Sequence, residues 1–329
     1  MTRSASSHRQ DGFILVVVLG AVLVLSSLLF GFNLMARTRL DAADSFYRTE
    51  LVGNSARAGI EIAIAAIRDV NDLGADPKFA ALLAGGKPFV IGDANCSVAI
   101  TDESGLLNVN SLKTADGRLN RPMIDQFLKL IDLVNAQQDS CERIGYGIVP
   151  CLIDWIDADD EVTKLPFIQR ENTGAEDGHY QAQSRPYACR NRPLDTVDDL
   201  LWVKGVTPQT LGRLRPYLTC VGDNKVNVNT APRLVLQSLS EQMDAATAQM
   251  ILNQRRLKPF ENVDQLRSLP GMADNVYRAI KDRICVRPQE RFYRVISRAS
   301  LADRAYTVEA LLQRNPRAGT VDMILCREM

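Results

Sequence analysis

Asp11-Gly12-Phe13-Ile14-Leu15-Val16-Val17-Val18-Leu19 opens the stretch that decides the architecture of this chain. From Phe13 to Met35 there is no Asp, Glu, Lys, Arg or His. At ~1.5 Å rise per residue a helix of that length covers about 34 Å, enough for a hydrocarbon core of roughly 30 Å. Ser26, Ser27 and Asn33 are its polar interruptions, and a helix satisfies serine hydroxyls on its own carbonyls. The alternative is a cleaved secretory signal, whose apolar part runs ~7–15 residues and closes on a small-x-small site. This run is longer and is followed by Ala36-Arg37-Thr38-Arg39-Leu40. A membrane span is therefore expected at 13–35. The preceding segment, 1–12, is short and polar, and its Arg3, His8 and Arg9 favour a cytoplasmic N-terminus.

The 329 residues hold one large or two ordinary domains beside the anchor. A formal net charge of zero offers no basic field for nucleic acid. The chain has two His, His8 in the leading segment and His179 in a polar loop. That argues against His-based catalysis, a His-rich metal site or a Ser/His/Asp arrangement, and the reading is of a protein that is not an enzyme. Seven Cys without a CxxC pair give no zinc-ribbon pattern. A body outside the cytoplasm would permit disulfides. An odd count leaves at least one thiol unpaired, and no pairing follows from spacing.

Beyond the span, Leu40, Ala43, Phe46, Tyr47, Leu51, Ala58, Ile62 and Ile67 recur at helical spacing, so one helix is expected to continue to Val70. Gly53 and Gly59 would soften it, and the turn residues 71–77 would end it. Phe89–Ile91 and Ser97–Thr101 read as strands, as do 292–299, 305–313 and 320–326. Between these two groups the signals are helical. Pro122 to Ala136 is amphipathic through Met123, Phe127, Leu130 and Val134, and Cys151–Asp157 is a buried segment entering an acidic loop.

That loop, Asp157-Ala158-Asp159-Asp160-Glu161, is followed by Gly174-Ala175-Glu176-Asp177-Gly178. Two acidic clusters joined by a polar linker suit a hard cation such as calcium, which takes ~6–8 oxygen ligands. They equally suit a solvated loop, and the spacing is not that of an EF-hand. Two further segments share a pattern: Thr196–Val206 leading to Leu211–Leu214, and Asn262–Met272 leading to Val276–Ile280. Each reads as a capped helix, a Gly hairpin and a second helix, similar to a helix-hairpin-helix. In the DNA-binding form a second Gly lets backbone N–H groups approach phosphate. Here Thr207 and Ala273 stand there instead, which favours a structural use. Between the hairpins, Val226 and Val228 read as a short strand, with Asn229 or Thr230 capping a helix that has Pro232 in its first turn.

Taken in order, Gly12-Phe13 with Val17, Thr101–Gly105 with Asn108 and Asn110, Asp154-Trp155-Ile156-Asp157, Gly174–Asp177 with Tyr180, and Val226-Asn227-Val228-Asn229-Thr230-Ala231-Pro232 resemble the type II secretion system minor pseudopilin K family. The resemblance covers almost the whole chain. Pilin-like chains usually carry Glu at the fifth mature position, which is Val17 here, and its absence is characteristic of the K branch. The resemblance implies an α+β, pilin-like fold with a small antiparallel sheet and a large inserted all-α domain with helix-hairpin-helix-like segments. The implied divisions are a leader, 1–12; a transmembrane segment, 13–35; a pilin-like domain, 36–112 and 289–329; and the insertion, 113–288. It implies cleavage between Gly12 and Phe13 by a prepilin peptidase with N-methylation of Phe13, anchoring in the inner membrane and a periplasmic body. It implies partnership with minor pseudopilins I and J and with the inner-membrane assembly platform, no nucleic acid, and a priming role at the pseudopilus tip. Calcium is implied in the insertion, with Asp157, Asp159, Asp160, Glu176 and Asp177 as ligands. The competing reading is a membrane-anchored, competence-type DNA-binding protein that uses the two hairpins.

Overall fold

The computed structural model describes residues 7–69, 88–114, 116–137, 142–315 and 318–328. The expected helix-ending turn at 71–77, Cys141 and, between the last two strands, Pro316 and Arg317 lie outside the described residues. Helix α1, Ser7–Asp69, is one unbroken helix of 63 residues. Among the described residues it alone is long and apolar enough to cross a membrane, with a best 18-residue mean hydropathy of 3.0. Two of its three polar interruptions are satisfied internally: Ser27 Oγ donates to Leu23 O at 2.9 Å and Asn33 Nδ2 to Leu29 O at 3.1 Å.

Only the last part of α1 meets the body. Val52, Ala56, Ile60, Ala63 and Ile67 form a buried stripe, at the spacing that keeps one helical face on a core. Of the positions expected from the sequence only Ile67 belongs to it; Leu40, Phe46, Tyr47 and Ile62 are exposed. Ala56, Gly59 and Ala63 alternate with the larger residues on this face and let the helix lie close to the sheet. A Cβ on Gly59 would stand 2.1 Å from Ser297 Oγ and 3.1 Å from Val98 Cγ2. Gly59 thus permits close packing, where the sequence suggested a soft point.

The strands are β1 Phe89–Ile91, β2 Ala94–Asp102, β3 Leu107–Asn108, β4 Leu218–Thr219, β5 Val226–Asn227, β6 Ile284–Cys285, β7 Arg291–Leu301, β8 Arg304–Asn315 and β9 Thr320–Glu328. A five-stranded antiparallel sheet has the order β1-β2-β7-β8-β9. Alternate residues of its central strands, including Val98, Ile100, Val295, Ala299, Val308 and Ala310, are buried and share one core with α1. This is the period of a half-covered sheet.

The chain leaves the sheet at Asp102, opposite Tyr293, and returns in β7. Between them lie the helices α2 Arg121–Asn135, α3 Ile148–Ile156, α4 Asp177–Gln181, α5 Pro208–Leu214, α6 Arg233–Ser238, α7 Ala245–Leu257 and α8 Asp274–Ile280. The helical body takes up more than 113–288, since Leu107, Val109 and Leu112 already pack in its first core.

This body consists of two copies of one unit. In the first, β3 pairs in parallel with β4; in the second, β5 pairs in parallel with β6. Asn110 Nδ2 donates to Leu194 O at 2.9 Å and Cys220 O at 2.8 Å, and its Oδ1 accepts from Leu194 N at 2.8 Å. Asn229 repeats the clamp: Nδ2 donates to Phe260 O at 3.0 Å and Val286 O at 3.3 Å, and Oδ1 accepts from Phe260 N at 2.9 Å. Three residues beyond each clamped residue comes a 3-10 turn, Val197–Trp202 or Val263–Ser268. Gly205 or Gly271 follows with φ of 83° or 86°, then α5 or α8. The hairpins are therefore 3-10 followed by α, where two α-helices were expected. Asn229 and Thr230 do not cap α6: Asn229 is the clamp, Thr230 Oγ1 donates to Asp102 Oδ2 at 2.9 Å, and Pro232 itself holds the cap position.

Charged groups join body to sheet. Arg294 Nε meets Glu103 Oε1 at 2.9 Å, Arg215 Nη2 meets Glu309 Oε2 at 3.1 Å, and Arg327 Nη1 meets Asp198 Oδ2 at 2.7 Å. At the junction a Cβ on Gly105 would lie 2.8 Å from both Thr230 C and Ala231 N, which are backbone atoms and cannot swing aside. Gly105→Ala is expected to destabilise the protein by about 1–3 kcal/mol. Gly212→Ala, in α5 with nothing within 4 Å, should stabilise by about 0.5–1 kcal/mol. Urea midpoints of the two variants test this, and an unchanged Gly105→Ala midpoint would remove the close approach from the account.

Candidate functional site: a buried carboxylate cluster

Most of the site lies in a segment of the first copy that the second lacks. Two helices follow the clamp asparagine in each copy; in the second, α7 ends at Leu257 and the clamped Phe260 follows almost at once, whereas in the first the acidic loops and α4 separate the end of α3 from Leu194. Every residue of α3, Ile-Val-Pro-Cys-Leu-Ile-Asp-Trp-Ile, is buried. Asp154 and the C-cap Asp157 are three apart and so share a helix face. Glu176 arrives from the returning chain immediately before α4. One carboxylate oxygen from each of Asp154, Asp157 and Glu176 lies within 4.8 Å of the others. The three residues are 0%, 7% and 7% exposed.

The returning loop holds this arrangement. Thr163 N donates to Asp154 Oδ1 at 2.9 Å, and Gly174 N donates to Thr163 O at 2.9 Å. A Cβ on Gly174 would stand 2.1 Å from Asp154 Oδ2, so only Gly fits beside that carboxylate. Trp155 and Tyr180 pack edge to face at 4.8 Å between centroids, and Tyr187 adds a further ring 5.3 Å from Tyr180.

Asp154 Oδ2, Asp157 Oδ1 and both oxygens of Glu176 have no hydrogen-bond partner among the described residues. Buried polar groups are almost always paired, so three buried carboxylates that come within 4.8 Å of one another and carry four unpaired oxygens form a donor set suited to a positively charged group. The electrostatics agree. Burial raises the carboxyl of Asp154. It pushes Asp157 to about 6 against the opposing pull of the Lys113 ammonium. Burial, helped by repulsion from Asp154 and Asp157, pushes Glu176 to about 7. A hard cation that prefers carboxylate oxygens suits this donor set.

Of the residues expected as ligands, Asp157 and Glu176 are brought together. Asp159, Asp160 and Asp177 are not in the cluster. Asp159 Oδ1 accepts from Glu161 N at 3.0 Å and Oδ2 from Lys113 Nζ at 3.2 Å. Asp160 Oδ1 accepts from Asn191 Nδ2 at 3.1 Å. Asp177, the first residue of α4, accepts from Cys189 N at 2.9 Å. These three shape the loops. Asp154, absent from the expected set, completes the cluster; its signal was the i, i+3 spacing to Asp157 on one apolar helix. At the other end of the chain, Phe13 lies exposed on α1, which also contains Gly12.

In an unfolded chain Asp and Glu ionise near pH 4. Between about pH 4 and pH 7 the folded cluster therefore holds protons that the unfolded chain has released. Stability of the protein kept in chelator should fall as pH rises through that window. Thermal unfolding of the full chain in detergent at pH 5 and pH 7.5 measures this; a higher midpoint at pH 7.5 would contradict the raised carboxyls.

Residues 105–223 and 226–287 match two models of one family, described as type II secretion system (T2SS), protein K. Their border falls between the two copies. Type II secretion system protein K of Pseudomonas aeruginosa is 29% identical over 233 residues, 69% of this chain and 63% of that protein. The Klebsiella pneumoniae protein of the same name is 26% identical over 241 residues, 70% of each chain. The chain thus spans somewhat under two thirds of the length of the Pseudomonas relative. In solved structures the fold is similar to a chain of the GspK-GspI-GspJ complex of the enterotoxigenic Escherichia coli type 2 secretion system, with TM-score 0.63 and 19% identity, over 90% of this chain and 99% of that one. With matched models over more than half of its residues, the chain belongs to the type II secretion system protein K family.

Proposed function

We propose that the protein is a minor pseudopilin that sits at the tip of a periplasmic pseudopilus and primes its assembly. The observation that carries this reading is a single helix, exposed and apolar at its start and buried in a sheet at its end, on a sheet that bears a large body between β2 and β7. A prepilin peptidase cuts between Gly12 and Phe13 and methylates Phe13. The N-terminus then faces the cytoplasm, α1 crosses the inner membrane, and the assembly platform extracts the subunit. Minor pseudopilins I and J are the partners; the E. coli chain of similar fold was solved in a complex with proteins so lettered. The inserted body is too large for another subunit to stack above it in register. Val17 also lacks the carboxylate that would offset a neighbour's terminal ammonium in lipid. Both features suit an end position, and the role is structural, without catalysis.

Calcium is the proposed ligand of the cluster, held by Asp154, Asp157 and Glu176. When bound it would neutralise the buried carboxylates and tie the end of α3 to the chain before α4. The DNA-binding alternative is disfavoured by how the hairpins are used. Gly205 lies against Ile148, with a Cβ there only 3.4 Å from Ile148 Cγ2. Arg213 donates inward to Glu142 O at 2.7 Å and Val134 O at 3.1 Å.

Co-expression with and without a prepilin peptidase is the first test. A peptidase-dependent chain starting at N-methylated Phe13 and co-purifying with pseudopilins I and J is expected, whereas an intact leader or a start beyond Met35 would defeat the reading. For the ion, calcium at about 100 times its Kd should stabilise the folded protein by about 2.7 kcal/mol. Glu176→Gln should lose most of that gain in thermal unfolding, and an equal gain in the variant would dismiss the proposed ligand set.

A further inference from the structure

We propose that Lys113 is a built-in counter-ion of the carboxylate cluster, one that supports the cluster without metal and limits its affinity for a divalent cation. This rests on the calcium reading above. Lys113 stands three residues beyond the clamp residue Asn110, and its backbone is fixed by an antiparallel bridge to Leu119. Its side chain is 16% exposed, and Nζ donates to Asp157 Oδ2 at 2.5 Å and to Asp159 Oδ2 at 3.2 Å.

The consequence is a division of labour among oxygens. Asp157 gives Oδ2 to the ammonium and keeps Oδ1 buried and unpaired. Asp154 gives Oδ1 to Thr163 N and keeps Oδ2, while Glu176 keeps both. With all three carboxylates ionised, as a bound cation would require, they and the ammonium sum to minus two, the complement of a single divalent ion. The ammonium therefore acts in two directions. It neutralises part of the cluster when no metal is bound, and it repels a cation that binds beside Asp157.

The second copy supplies an internal comparison. Three residues beyond its clamp Asn229 stands Pro232. Among the described residues the cluster of Asp154, Asp157 and Glu176 is the group of acidic, His or Cys side chains close enough to hold an ion, and it belongs to the first copy. The lysine occurs where the carboxylates occur.

The test uses the full chain in detergent as wild type, Lys113→Met and Lys113→Arg, purified in calcium. Calcium affinity is measured by competition with a chromophoric chelator, and the thermal midpoint is measured in excess chelator. Removing one positive charge beside the ion should tighten calcium binding in Lys113→Met by roughly tenfold. The same variant should melt earlier in chelator, or unfold outright, so that its calcium-induced shift is wider than that of wild type. Lys113→Arg should stay near wild type in both. Equal or weaker calcium binding by Lys113→Met overturns the proposal, as does an unchanged midpoint in chelator. Wild-type protein that binds no calcium overturns the calcium reading itself, a result read before any variant is compared.

Discussion

The carboxylate of Asp102 is the point on which the two parts of this molecule turn. It ends β2, is buried, and accepts four hydrogen bonds: from Ser104 N at 3.0 Å, Ser104 Oγ at 2.6 Å, Asn227 Nδ2 at 3.1 Å and Thr230 Oγ1 at 2.9 Å. Burial raises this carboxyl while those donors draw it down. Two of the donors are local and two come from the second copy, more than a hundred residues away. A body inserted between paired strands must leave and rejoin the sheet at nearly one place, because β2 and β7 stay hydrogen-bonded up to Asp102 and Tyr293. Asp102 closes that junction from within, and Glu103 closes it again through Arg294. An ion pair this buried is demanding, since either partner alone would be an uncompensated charge.

The duplicated unit explains how a long helical insertion can be stable with such short secondary structure. Helices of five to nine residues do not persist by propensity. Here an asparagine amide in each copy holds three backbone groups of two distant segments at once, fixing the ends of the intervening chain. Each copy then has its own apolar core, one around Phe127, Leu130, Ile153 and Tyr180, the other around Leu236, Ile251, Leu266 and Ile280. Tertiary burial does what local helix formation cannot.

This also marks what could be read in the sequence. The apolar run from Phe13, the edges of the sheet strands and the span of α2 depend on local periodicity, and each was legible to within a few residues. The clamp was not, because Asn229 and Phe260 are thirty-one residues apart and nothing local distinguishes a clamp from a cap. Yet Asn108-Val109-Asn110 and Asn227-Val228-Asn229 are the same three residues in the same role. Repeated motifs therefore carried a long-range signal that the hairpins alone did not. At the site, counting acidic residues along the loops favoured Asp159, Asp160 and Asp177, which are plentiful and close in sequence. What selects the cluster is burial, and Asp154 is buried because it sits on a helix that is otherwise apolar.

The two copies finally show why the carboxylates lie where they do. Both need the chain after the first helices to return to the clamp asparagine. The second copy does so almost directly, from Leu257 to Phe260. The first returns from the end of α3 through a long polar loop and α4, a path with few apolar residues after Ile168. Loop closure of that length is entropically unfavourable unless something pins the middle. Asp154 and Glu176 stand at the two sides of that loop, and Lys113 comes from the segment just past the clamp. A cation among them would fasten the detour at its midpoint, and the ammonium already holds its outgoing side at Asp157 and Asp159. The carboxylate cluster is thus best understood as the closure of the longer copy, with the same place in the unit's logic as the two-residue link in the shorter one.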